Sequence, residues 1–131
     1  MIDHYSEYNI TVYDLKKCVS FYRDKLGLEM KQNEEDYAYF VFGKTDMGLA
    51  LVSVKTANRL FPQAKFPPDG ERTHQTFLSM AVDDIDKECG ELGAKGVPFV
   101  IPPTVYPIGQ KVAFFEDPEG NLWEIYQSTE G

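Results

Sequence analysis

Histidine, cysteine, basic residues and long apolar runs are all scarce in this chain, and each scarcity excludes something. Two histidines, His4 and His74, are few for a metal-rich enzyme. Two cysteines, Cys18 and Cys89, are too few for a disulfide framework. Each falls within a helical pattern, so both are expected as buried reduced thiols. Thirteen Lys and Arg stand against 21 Asp and Glu, a net charge of −8. Neutralising phosphates needs clustered bases, so neither nucleic acid nor an anionic membrane surface is an expected partner. No apolar run approaches the ~18 residues of a spanning helix. The start, "MIDHYSEYN", has neither the basic flank nor the apolar core of a signal peptide. A soluble cytoplasmic protein is the expectation. A phosphate-cradling glycine loop, a nucleophile elbow and paired cysteines at zinc spacing are also missing.

Aromatic residues, by contrast, are plentiful: nine Phe, eight Tyr and one Trp in 131 residues. A chain of this length reads as one domain, 1–131, burying roughly two-thirds of its unfolded surface. Its pattern repeats. In "YNITV", Tyr8, Ile10 and Val12 alternate with Asn9 and Thr11, as in a half-buried strand. Asp14 offers a helix cap, Leu15, Cys18, Phe21, Tyr22 and Leu26 follow at helical spacing, and Gly27 supplies the stop. A shift of 70 residues places Val12 on Val82, Asp14 on Asp84 and Leu15 on Ile85 without gaps. Ile85, Cys89 and Leu92 renew the helical stripe, ended by Gly93 or Gly96.

Each helix is followed by a hairpin, "DYAYFVFG" with "MGLALVSV" and "KVAFFED" with "NLWEIYQ". Overlaying the hairpins sets Phe42 on Phe115, Leu49 on Leu122 and Leu51 on Glu124. The expected organisation is module one at about 5–55, a connector at about 56–75 and module two at about 76–128. A short helical turn is expected at "TANRL", and "FPPDG" and "IPPTVYPIG" read as loops. Each sheet should bury one face under its helix and leave the other to line a cleft.

The runs "NITVYDLKKCVSFYRDKLGLEM" and "AFFEDPEGNLWEI" resemble the vicinal oxygen chelate superfamily, which groups glyoxalase I, bleomycin-resistance proteins and extradiol dioxygenases. The resemblance implies an α+β fold. Two βαβββ modules in tandem would form a mixed and antiparallel half-barrel cavity, often completed by a homodimer. Metal-using members hold a divalent ion with four cavity-facing ligands. Carried over one at a time, those positions are Glu7, Leu51 (or Ala50 if the register slips by one), Phe77 and Glu124. Leu and Phe donate no lone pair, so no tightly bound metal is expected. Glu7 and Glu124 remain weak candidates for a loosely held Mg²⁺ or Mn²⁺. His4 and His74 stand at the opposite strand parity from these positions and read as exposed residues.

Glu124 is the candidate catalytic residue. Trp123 and Ile125 beside it belong to the helix-packed face, while Leu122 and Tyr126 share its own. Desolvation drives an unpartnered carboxylate in such surroundings toward its neutral form, which is how a general acid or base is poised. Glu7, Asn9, Thr11, Leu51, Phe77, Ser79 and Tyr126 are the candidate ligand-binding residues. The resemblance implies a small-molecule binding protein that sequesters a basic or planar compound in an aromatic cavity. The alternatives are a metal-assisted lyase, isomerase or epimerase of the lactoylglutathione-lyase type using Glu124, with or without a loosely held Mg²⁺ or Mn²⁺, and a module serving mainly in dimerisation or regulation.

Overall fold

The computed structural model describes residues 7–43, 47–67, 76–107 and 109–127. The chain divides into two units, Met1–Gly70 and Glu71–Gly131. In the first, β1 (Glu7–Val12) buries Ile10 and Val12. Asp14 then caps α1 (Leu15–Ser20), its side chain accepting the Lys17 N–H at 3.1 Å. The helix runs on into a π-helical turn, Phe21–Lys25, which buries both Phe21 and Tyr22 with their rings edge to face. Gly27, at φ +72°, ends it. Strands β2 (Glu29–Asn33), β3 (Tyr37–Val41) and β4 (Gly48–Ser53) complete a four-stranded sheet ordered β1-β4-β3-β2. β1 and β4 are parallel and the other pairs antiparallel.

The second unit repeats the plan. Its elements are β5 (Leu78–Val82), a longer helix, β6 (Phe99–Val105), β7 (Lys111–Glu116) and β8 (Leu122–Gln127), with sheet order β5-β8-β7-β6. The expected α+β architecture of tandem βαβββ modules is therefore present, and neither sheet closes into a barrel. Between the two modules, α2 (Val54–Leu60) contains the helical turn expected at "TANRL". Asn58 then holds Phe66 from both sides: Nδ2 donates to its carbonyl at 2.8 Å, and its N–H donates to Oδ1 at 3.0 Å. Of "FPPDG", the described Phe66 and Pro67 have no regular structure, and 68–70 lie outside the described residues.

The longer helix, α3 (Ile85–Ala94), is capped by Asp84, which accepts the Lys87 N–H at 3.2 Å. Gly93 lies within it, and Gly96, at φ +86°, follows its end. Beneath it, Trp123 and Phe115 stack with centroids 6.3 Å apart and planes 5° from parallel. Both rings are essentially fully buried, and each contributes on the order of 2 kcal/mol through burial. Among the described residues, no helix is long and apolar enough to cross a membrane.

One expectation fails here. "IPPTVYPIG" is not all loop, because Ile101–Val105 belong to β6. β6 is an edge strand, and its pairing with β7 shifts register between Ile101 and Thr104. Pro102 and Pro103 sit in that break, where the N–H groups they lack are not needed by a neighbour.

The "DPEGN" turn that joins β7 to β8 is built by Asp117, the buried acidic residue among those described. Its carboxylate accepts the N–H groups of Glu119 and Asn121, each at 2.9 Å, and the Asn121 side-chain amide at 2.7 Å. Gly120 takes φ +81°, a conformation that disfavours any side chain. The motif is turn chemistry. Its work is to set the register of β8, and with it the direction of Glu124.

Candidate functional site

In each unit one sheet face packs on the helix and the other is open. Direct pairing assigns the open faces, because paired residues project to the same side. In the second unit, Glu124 pairs with Ser79 on one flank and Phe114 on the other. Ser79 Oγ donates to Glu124 Oε1 at 2.8 Å, a charge-assisted bond that fixes the carboxylate's direction. Oε2 receives no hydrogen bond from the described residues. Phe77, 52 % exposed just ahead of β5, meets Phe114 edge to face at 5.5 Å. Tyr126 lies opposite Ala81 and Val112 on the same face. Phe77, Ser79, Glu124 and Tyr126 are thus brought to one face, as the alternation implied. Trp123 and Ile125 point the other way and are buried.

The open face of the first unit is made of Glu7, Asn9 and Thr11 from β1, Gly48, Ala50 and Val52 from β4, and Tyr37, Tyr39 and Val41 from β3. The ring of Tyr39 lies directly over Gly48, so that any Cβ at Gly48 would collide with it. Glu7 pairs with that same glycine. Burial raises the Tyr37 phenol above its ordinary value, and the charge of Glu7 and then the neighbouring Tyr39 add to the effect.

Leu51 is not on this face. It pairs with Ile10 and Ala38, and all three are buried on the helix side. The residue matching Glu124 is Ala50, which pairs with Asn9 as Glu124 pairs with Ser79. The first hairpin is one residue longer than the second, so a gapless overlay slips at the loop. A slip of one residue moves a side chain to the opposite face.

The four positions that the resemblance assigns to metal ligands therefore fall at Glu7, Ala50, Phe77 and Glu124, one carboxylate and one hydrocarbon in each unit. This donor set does not fit a tightly held ion. Among the described residues, no three His, Cys, Asp or Glu side chains are grouped to hold one. His4 and His74 lie outside the described residues.

Sequence reasoning missed Tyr37, Tyr39 and Phe114. Their alternation was visible, but which parity faced outward depended on the register. The described residues also line a groove of about 330 Å³ between α1 and the β2–β3 turn, with Leu15, Val19, Arg23 and Glu34 on its walls. It holds no residue of either open face.

Residues 1–125 match the family model of the Glyoxalase/Bleomycin resistance protein/Dioxygenase superfamily. Over 121 residues the chain is 36% identical to an uncharacterized protein, YraH, of Bacillus subtilis strain 168, spanning 90% of this chain and 93% of that one. Among solved structures it is similar to TnmS3, an antibiotic binding protein from Streptomyces sp. CB03234, with 26% identity, a TM-score of 0.73 and 98% of each chain covered. It is also similar to lactoylglutathione lyase from Agrobacterium tumefaciens, with 24% identity, a TM-score of 0.75 and coverage of 97% and 95%.

Proposed function

This chain belongs to the glyoxalase/bleomycin resistance protein/dioxygenase superfamily, and from that premise we propose that it binds a small planar organic molecule without a tightly held metal. The observation that carries the reading is the open face around Glu124. One carboxylate, held by Ser79, stands among Phe77, Phe114 and Tyr126. Apolar walls with a few well-placed polar groups are what small-molecule recognition requires. Aromatic faces such as that of Phe77 add about 0.5–1.5 kcal/mol for each well-stacked ring. The likeness to an antibiotic binding protein over nearly the full length supports the same reading.

A panel of planar aromatic compounds followed by amide and aromatic NMR shifts tests it. Binding should perturb Phe77, Ser79, Phe114 and Glu124 together, and Glu124→Gln should weaken it about tenfold, or ~1.4 kcal/mol. Shifts confined elsewhere, or none at all, would overturn the proposal. Titration with Ni²⁺, Zn²⁺, Mn²⁺ and Co²⁺ should produce no thermal stabilisation at near-stoichiometric metal.

The fixed direction of Glu124, with Oε2 left to meet a ligand, favours one second reading. A carboxylate so placed can move a proton on a bound substrate, as in a lyase, isomerase or epimerase. Exchange of substrate hydrogen for solvent deuterium, abolished in Glu124→Gln, distinguishes it from simple binding.

A further inference from the structure

We propose that the groove between α1 and the β2–β3 turn binds a free amino acid with an apolar side chain. The groove lies wholly within the first unit and holds no residue of either open face, so it stands apart from the site around Glu124. The duplication shows why it is open. The ladders Ala38–Leu51–Ile10 and Ala113–Ile125–Met80 are equivalent, so Asp36 corresponds to Lys111. The capped helices overlay at the shift of 70 residues, so Lys16 corresponds to Asp86. In the second unit these positions are joined: Lys111 Nζ donates to Asp86 Oδ2 at 2.7 Å and ties α3 to β7. The first unit carries the same two charges with their signs exchanged and does not join them. Asp36 turns instead to α2, where Thr56 Oγ1 donates to its Oδ2 at 3.0 Å and Arg59 approaches to 3.8 Å. Lys16 makes no ion pair with any described residue, and beside it the groove of about 330 Å³ stays open. Small-molecule sites begin at roughly this size.

The helix differs as well. It is one residue longer between its capping Asp and its positive-φ glycine, Asp14 to Gly27 against Asp84 to Gly96. The π-helical turn takes up that residue, with the Leu26 N–H donating to the Phe21 carbonyl at 3.1 Å. Single π turns of this kind are frequent at functional sites. Here the turn includes Arg23, on the wall of the groove. Leu15 and Val19, one helical turn apart, are buried and give an apolar floor. Lys16 stands with Arg23 on the helix wall, and Glu34 and Glu35 stand on the turn wall. Arg23 already engages Asp24 through Nε and Nη2, which leaves Lys16 as the uncompensated cation. Neither Glu34 nor Glu35 makes an ion pair with a described residue. Opposed charges across an apolar floor suit a zwitterion with an apolar branch. Its carboxylate faces Lys16, its ammonium faces Glu34 and Glu35, and its side chain lies on Leu15 and Val19. A ligand with only one of those charges meets one attracting wall and one repelling wall. The charged groups are exposed and therefore screened, so the expected affinity is about millimolar.

The experiment uses three probes with one branched aliphatic chain: L-leucine, 3-methylbutylamine and 4-methylpentanoate. They carry both charges, the ammonium alone and the carboxylate alone. Each is titrated to about 50 mM into the full chain at pH 7 and low salt, and backbone amide shifts are followed by NMR. Leucine should move Val19, Glu34 and Glu35 saturably, and each single-charge analogue should bind at least about fivefold more weakly. Lys16→Gln should reduce leucine to the affinity of the amine. Glu34→Gln combined with Glu35→Gln should reduce it to that of the carboxylate. All three side chains are exposed, and circular dichroism checks that the variants keep the wild-type fold. Glu124→Gln should leave the leucine shifts unchanged, which separates this groove from the open face of the second unit. The proposal is overturned if leucine gives no saturable shift in the groove, or if either analogue binds there as tightly. A preference for leucine that survives the Lys16 and glutamate variants overturns it too.

Discussion

The central strand of the first sheet shows Gly48, Ala50 and Val52 to its open face, whereas that of the second shows Leu122, Glu124 and Tyr126. The topology is the same, but the chemistry is laid out differently. In the first unit the floor is small, the acid stands on the flanking strand as Glu7, and a tyrosine leans over the glycine. In the second the acid rises from the floor as Glu124, held by Ser79, and Phe77 and Phe114 form the wall. A duplicated backbone thus carries two distinct faces. The helix-packed sides remained alike, because burial under a capped amphipathic helix demands the same alternation in both.

The register that underlies this comparison is the first thing to break. Leu51→Ala should cost about 3 kcal/mol in urea unfolding, as for other buried leucines, and leave the binding of planar aromatic compounds unchanged. A cost below ~1 kcal/mol together with altered binding would return Leu51 to the open face. Next in size is the turn beneath Glu124. Asp117→Ala strands three donors and should destabilise by about 2 kcal/mol, with a lower melting temperature. The duplicated caps come third. Asp14→Ala and Asp84→Ala should each cost about 1 kcal/mol, matching within a few tenths, and a larger disparity would show that the modules no longer fold by equal local rules.

The smallest expected effect separates the two thiols. Burial first, and then Asp86 and Glu88, push the Cys89 thiol up to about 11. The folded chain therefore favours the neutral thiol more than the unfolded chain does. That contribution is complete below the ordinary thiol value and is lost as pH rises toward about 11. Cys89→Ala should flatten the alkaline fall in unfolding free energy. Labelling of Cys89 at pH 8 should remain slow until the chain unfolds.

Much of the plan was legible from local pattern. The caps at Asp14 and Asp84, the helical stripes, the strand alternation and the buried cysteines all follow from periodicities set within a few residues. So did the parity around Glu124, because the tight "DPEGN" turn leaves little freedom between β7 and β8. The prolines of β6 misled, since composition alone cannot tell an edge strand from a loop. His4, His74 and residues 44–46 lie outside the described residues.

What the sequence by itself determined is a pair of βαβββ modules with an acid standing on the outward parity of β1 and another on that of β8. Only the tertiary structure decided which residue answers Glu124 in the first module. One added residue in a hairpin loop leaves both strand patterns intact yet reverses the face assigned to each side chain of the return strand. Pairing across strands then chose Ala50 over Leu51 and opened the floor that Tyr39 covers. No local pattern contains that choice, because it is made by hydrogen bonds between residues far apart in the chain.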